Sequence, residues 1–388
     1  MTEAARREYA AALRARYALA SKQEKGRILD EYCRTTGGHR KAAIRTFRRT
    51  STASRRGGRR RVYGPAFAAA VAELWELSDR LSGKLLVAAL PALVPALERH
   101  GASTLAPELR AQVLRASAAT LERVLRRVRQ QHGRQPRRVA AADSALRRHV
   151  PIRTWGEWGA VAPGALQGDL VLHCGEGTHG FYLSTLVAVD VATSWTELQA
   201  IWGVGQFQVR SGVAQAHARV PMGVREWHTD NGSEFLNHAL LAYCRQHALR
   251  VTRGRSYRKN DQAWVEQRNA VAVRRLVGHH RYSSRAAYAV LHRLYGLLRL
   301  QLNFFRPVRK VLRKQRHGGK VRKDYDRAQT PYQRLLAAAV LTPAQLAALE
   351  REYLAVNPRA LAQQISQTLA TLWKLRDTER SPAEAHHG

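Results

Sequence analysis

Acidic side chains are scarce in this chain: 29 Asp and Glu stand against 65 Lys and Arg over 388 residues, a formal net charge of +36. Cysteine is scarcer still. Cys33, Cys174 and Cys244 are odd in number and far apart, which excludes a disulfide framework and a zinc-ribbon pattern. No run of 18 apolar residues occurs, so no membrane-spanning helix is expected. The opening MTEAARREYA has no apolar stretch, which gives the expectation of no secretory signal. No aromatic-glycine motif for stacking bases appears, which disfavours an RNA-binding scaffold. What is present is 45% hydrophobic residues, enough for real cores. The balance describes a reduced cytoplasmic protein whose partner is a polyanion, nucleic acid above all, with no membrane partner and no small-molecule substrate.

The abundance of arginine and alanine follows in part from base composition, so the distribution of charge says more than its total. Residues 1–150 carry 32 basic and 12 acidic residues, and residues 281–330 carry 14 and 2. Between them, residues 165–280 carry 12 and 9. A near-neutral centre between basic flanks suits a protein that grips phosphates at its ends and keeps clustered carboxylates in the middle.

Residues 1–50 read as a first helix-turn-helix unit. An Ala-rich helix over 3–20 precedes Ser21, which opens an S-x-x-E capping box with Glu24. A helix from Lys22 to about Arg34 follows, then Gly37-Gly38, then a basic helix from His39 to about Arg49. That helix sets Arg40, Lys41, Arg45 and Arg48 around apolar Ala42, Ile44 and Phe47, as a DNA-reading helix does. Residues 51–64 form a basic linker. Residues 65–138 form a second helical DNA-binding region. Its candidate recognition helix is 118–130, capped by Ser117, with Arg123, Arg126 and Arg127 toward the groove. A second linker spans 139–164.

From 165 to 300 the periodicity changes to strands. DLVLHC, GFYLSTLVAVDV and SWTELQAIW read as three strands, with Asp169 opening the first. A helix over 206–219, a strand VREWHTDNG, a helix capped by Ser233, a strand LRVTRGRS and a long helix capped by Asn260 complete the order β-β-β-α-β-α-β-α. This order describes an α/β RNase H-like core: a mixed five-stranded sheet with helices. It is flanked by the all-α helix-turn-helix region and a helical C-terminal tail. Residues 301–330 are a basic segment, dense at 306–323 and poor in apolar residues, expected to contact phosphates through Arg313, Lys314 and Arg316. Residues 331–388 are the tail, whose helices begin at Thr-Pro pairs, with proline in the first turn; its final dozen residues are expected to lack order.

Three acids stand out in the neutral centre: Asp169 in GDLVLHC, Asp230 in HTDNGSEF and Glu266 in YRKNDQAWVEQRN, with 35 residues between the last two. In a mixed sheet the first and fourth strands can be neighbours, which brings Asp169 near Asp230, and a helix packed over them can present Glu266. Mg²⁺ prefers hard oxygen ligands, and two such ions can hold the attacking and leaving oxygens of a phosphoryl displacement.

On these motifs the chain resembles the superfamily of retroviral integrases and insertion-sequence transposases, closely over about 165–285 and more loosely toward one bacterial insertion-sequence branch elsewhere. The resemblance implies a transposase that binds the terminal repeats of its mobile element. It implies cleavage and joining of double-stranded DNA with two Mg²⁺ ions, for which Mn²⁺ substitutes, and work in the nucleoid as a homo-oligomer of at least two subunits. It implies that Asp169 bridges both ions while Asp230 and Glu266 each complete one. Water attacks first, then a DNA 3′-hydroxyl. Arg258 and Lys259 are expected near phosphate, and Arg268, Arg274 and Arg275 along the DNA end. His173, Cys174 and Cys244 read as core, because adjacent strand residues face opposite ways. With only Cys33 near the N-terminus, the zinc module of retroviral integrases is absent. A structure-selective nuclease or resolvase on the same fold, and a transposase-derived DNA-binding regulator, are the competing readings; the long basic N-terminus disfavours the first and the intact acidic triad the second.

Overall fold

A computed structural model describes residues 1–48, 63–130, 161–230, 232–255, 263–317 and 320–377. The linker over 51–62, the stretch 131–160, Arg258, Lys259, Asn260 and the final eleven residues lie outside the described residues. The chain divides into two compact units, Met1–Gly64 and Pro65–Gly388.

The first unit is three helices, α1 (Glu3–Leu19), α2 (Lys22–Thr36) and α3 (Arg40–Arg48). Ser21 and Glu24 make the expected reciprocal capping box. Gly37 ends α2 in the left-handed conformation that glycine adopts at least cost, with φ at 67°. The core joins Leu13 and Tyr17 of α1 to Ile28, Leu29 and Tyr32 of α2 and to Ala43 and Phe47 of α3. Ala43, not Ala42, faces inward. Counting back from Phe47, position 43 lies one helical turn away on the same face, whereas 42 is exposed.

The second unit begins with α4 (Pro65–Leu77), α5 (Gly83–Arg99), α6 (Pro107–Arg115) and α7 (Ala118–Gln130). The Ser117 hydroxyl accepts from Thr120 N–H at 3.2 Å, capping α7 as expected. The sheet follows: β1 (Ala165–Leu172), β2 (Ser184–Asp190), β3 (Thr196–Ile201), α8 (Gln206–Arg219), β4 (Glu226–Thr229), α9 (His238–Gln246) and β5 (Arg250–Arg253). Strand order is β3-β2-β1-β4-β5, antiparallel through β3, β2 and β1 and parallel through β1, β4 and β5. Leu166, Leu186, Trp227 and Ile201 pack one face of the sheet against Val209, Val213, Leu240 and Cys244 of α8 and α9.

On the opposite face lies α10 (Ala263–Arg268), continued by a π-helical segment (Asn269–Arg274) and the short α11 (Arg275–Val277). Beside it runs α12 (Arg285–Leu300), which also ends in a π-helical segment, Gln301–Phe305. The chain closes with a hairpin of β6 (Val311–His317) and β7 (Lys320–Tyr325), then α13 (Pro331–Ala337), α14 (Pro343–Ala355) and α15 (Pro358–Lys374). Thr330 and Thr342 cap α13 and α14 with proline in the first turn, as the sequence indicates.

Several expectations need correction. The first strand starts at Ala165, so Asp169 sits within it: Gln167 and Gly168, polar or small, still hold the ladder with β2. The cap of α9 is Asn237, whose side chain accepts from Leu240 N–H at 2.9 Å. Ser233 instead lies in a turn closed by Leu236 N–H on the Gly232 carbonyl. The segment 306–323 is not uniformly a phosphate grip. Arg306 and Lys310 point inward: Arg306 donates to Asp79 at 2.6 Å, and Lys310 donates to the Val191 and Ala192 carbonyls at 2.7 and 2.8 Å.

Gly168 shows how tightly β1 meets β4. A Cβ at this position would lie 2.6 Å from the Trp227 ring. Gly168→Ala is expected to cost about 1–3 kcal/mol by overpacking, read as a lower denaturation midpoint with an unchanged slope.

Candidate active site

The pairing of β1 with β4 sets Ala165 beside Glu226, Leu166 beside Trp227 and Gln167 beside His228. Carrying that register two residues further brings Asp169 level with Asp230. Alternation along a strand puts Gln167 and Asp169 on the same face. That face is covered by α10: Val265 N–H donates to the Gln167 side chain at 3.4 Å, and Asn269 Nδ2 donates to Asp169 Oδ2 at 2.5 Å. The other Asp169 oxygen accepts from Leu170 N–H at 2.9 Å. Asp230 Oδ1 accepts from Gly232 N–H at 2.9 Å, a bond from two residues on that orients the carboxylate.

Two carboxylates thus share one end of the sheet. Burial, and then the Asp230 charge, push the Asp169 carboxyl up to about 7, with the Glu234 charge adding in the same direction. Glu234 is itself raised, by burial and by Asp230. Like charges are held together here against their repulsion, an arrangement that suits a cation. Glu266 is exposed on α10, one turn ahead of Asn269. Among the described residues, no three His, Cys, Asp or Glu side chains converge closely enough to hold a metal ion.

The sequence reading missed two neighbours. Glu234 lies inside the HTDNGSEF motif, so its type and place were visible. Asn269 stands three residues after Glu266, on the same helix face, a spacing that put it within reach of whatever Glu266 serves. Its Oδ1 is buried without a hydrogen-bond partner. Of the three arginines expected along the DNA end, Arg268 is buried and donates to the Ser194 carbonyl at 3.2 Å, and Arg275 pairs with Asp79. Arg274 is the one whose charge reaches Asp169. His173, fully buried, shares a hydrogen bond of 2.7 Å with Thr185, and burial holds it down to about 3, so it belongs to the core as read. His228 lies buried against the Thr252 hydroxyl at 2.9 Å.

Of the expected DNA contacts, Lys41, Arg45, Arg48, Arg123, Arg126 and Arg313 are solvent-exposed. Arg40 is exposed but paired with Asp30. Arg127, Lys314 and Arg316 lie in regular elements, with side chains outside the described set.

The family described as Integrase core domain matches residues 161–259, a span holding all five strands of the sheet. Across 323 residues the chain is 42% identical to the uncharacterized protein y4rM of Sinorhizobium fredii (strain NBRC 101917 / NGR234), covering 83% of this chain and 92% of that protein. The chain belongs to the same family as y4rM, and its residues 161–259 match an integrase core domain. It carries an integrase-type, RNase H-like transposase core. Among solved structures, the catalytic core domain of BIV integrase matches at 19% identity, covering 49% of this chain and 98% of that one, with a TM-score of 0.28. The HTLV-2 integrase catalytic core domain in complex with magnesium matches at 16% identity, covering 38% and 92%, with a TM-score of 0.29. Among the described residues, no helix is long and apolar enough to cross a membrane.

The raised carboxyl has a measurable consequence. Because the folded protein binds the Asp169 proton more tightly than the unfolded chain does, stability falls as pH climbs from about 4 through about 7. Asp230→Asn removes one cause of the rise and keeps the turn acceptor. In metal-free buffer it should raise the melting temperature at pH 8 and change it little at pH 4.

Proposed function

We propose that this chain is a transposase that binds the terminal repeats of its own mobile element, cuts the DNA there and joins it to a target. The observation that carries this reading is the pair Asp169 and Asp230, level on adjacent parallel strands beneath the helix that bears Glu266 and Asn269. The donor set fits a hard divalent cation: carboxylate oxygens that are acceptor-only once ionised, with the Asp169 proton held more tightly through burial and the Asp230 charge. Asp169, Asp230 and Glu266 would hold two Mg²⁺ ions, or Mn²⁺ in their place. When bound, these supply Lewis-acid stabilisation for an in-line phosphoryl displacement.

The side chains of the chain divide the remaining work. Asn269 fixes the rotamer of Asp169 by donating to one oxygen, leaving the other to Leu170 N–H. Gly232 N–H fixes Asp230. No side chain acts as the nucleophile; water and then a DNA 3′-hydroxyl take that role. The basic helices α3 and α7 read the repeats, and the β6–β7 hairpin grips phosphates without reading sequence. The active form holds two DNA ends and is an oligomer of at least two chains.

Asp169→Asn, Asp230→Asn and Glu266→Gln should each abolish cleavage and joining in Mg²⁺ while leaving gel-shift affinity for the repeat DNA nearly intact, since carboxamides keep the shape and lose the charge. Full activity in any of the three contradicts the assignment. Replacing Arg313, Lys314 and Arg316 by Ala should lower the slope of log affinity against log salt by roughly 2 to 3, at about 0.9 per phosphate. The loss should be alike on repeat and random duplex. A loss confined to repeat DNA would mark the hairpin as a sequence reader.

A further inference from the structure

The first unit holds a cleft of about 420 Å³ between α1 and α3. Arg6, Arg7 and Arg14 of α1 and Arg45 of α3 line it, with Tyr32 and a single acid, Glu3. Glu3 is already paired with Arg7. Arg6, Arg14 and Arg45 therefore face the cleft without a carboxylate among the described residues. Arg6, Ala10 and Arg14 are spaced four apart, one stripe along α1. The middle member is a small, buried alanine, so the two guanidinium groups flank a floor with no side chain rising between them. Arg14 donates one nitrogen to the Thr46 carbonyl at 3.2 Å, which steers its guanidinium, and its Nε is buried with no partner. Arg45 uses Nε on the Lys41 carbonyl at 3.3 Å, which leaves its terminal nitrogens for other partners.

Planar guanidinium donors converging on a small cavity match the oxygens of a phosphate, and an orphaned buried N–H calls for an acceptor. We infer that this cleft seats one backbone phosphate of duplex DNA, with α1 as a phosphate clamp beside the groove-reading helix α3. This rests on the reading of the chain as a DNA-binding transposase, and it assigns Arg45 to the backbone, not to base edges. Lys41 and Arg48, exposed on α3, are left for the groove.

The test uses the full chain and the variant Arg6→Gln/Arg45→Gln, both sites being exposed, in a salt titration on random duplex DNA. One lost phosphate should lower the slope of log affinity against log salt by about 0.9. Arg14→Gln should do the same, and Arg14→Lys, which keeps charge but not the fork, should recover part of the affinity. An unchanged slope in Arg6→Gln/Arg45→Gln, with an unchanged circular dichroism melt, overturns the inference. In a second arm, inorganic phosphate at constant ionic strength is added to a melting experiment. If the variant loses stabilisation by phosphate yet keeps the DNA slope, the cleft takes a free phosphate and the DNA assignment is wrong. Failure of the wider reading looks different: the unmodified chain then shows no salt-dependent duplex binding at all.

Discussion

Two like charges held level on neighbouring parallel strands are the constraint around which the second unit is arranged. Their repulsion, with the burial of Asp169, lifts that carboxyl to about 7, so the metal-free fold bears a cost at neutral pH. The cost is borne by the register of β1 on β4. That register depends on close approach at Gly168, where the Trp227 ring leaves no room for a side chain. It depends also on α10, whose backbone and Asn269 reach the same strand face through Gln167 and Asp169. Moving β1 by one residue would turn both acceptors away from α10 and send Asp169 to the packed face with Leu166 and Trp227.

Around this centre the charged residues serve mostly as fasteners. Glu197, buried on β3, accepts from Arg219 of α8 at 2.9 Å and from Arg299 of α12 at 3.0 Å, and Arg299 reaches on to Glu352 of α14 at 2.7 Å. Such a buried network satisfies itself on both faces of an edge strand, and losing one partner would strand a buried charge. Asp79, in the turn between α4 and α5, pairs with Arg275 of α11, which continues the helix from α10, and with Arg306 beyond α12. Arg359 of α15 pairs with Glu73 of α4. The helices over 65–130 are thereby tied to the helix that carries Glu266 and to the C-terminal tail.

Much of this was legible in the sequence because it rests on short-range chemistry. The Ser21 capping box, the Ser117 cap and the Thr-Pro helix starts are local hydrogen-bond patterns, and all three form. The order of strands and helices in the core followed from a change of periodicity. The resemblance to integrases and transposases rested on HTDNGSEF and its spacing to Glu266; the integrase core domain match over 161–259 takes in Asp169 and Asp230 and stops short of Glu266. What was hidden depends on contacts across the chain. Nothing local distinguishes Arg306 and Lys310, which turn inward, from Arg313, which stays exposed, because the difference lies in Asp79 and two carbonyls far away in sequence. Arg268 was hidden for the same reason. The π-helical segment after Arg268 leaves no mark in composition. The β6–β7 hairpin did carry a signal in the sequence, the Gly318-Gly319 pair between the two strand segments, but its charged residues masked the alternation that marks strands.

The central claim is that Asp169 and Asp230 face each other in order to share divalent metal. Calorimetric titration of Mn²⁺ into the purified full-length chain tests it without any need for a DNA substrate. Saturable binding in the unmodified chain that is lost in both Asp169→Asn and Asp230→Asn, with the melting profile otherwise retained, is the predicted result. Equal Mn²⁺ binding in all three proteins would contradict it, and would leave the paired carboxylates as a strained feature of the sheet with no metal role.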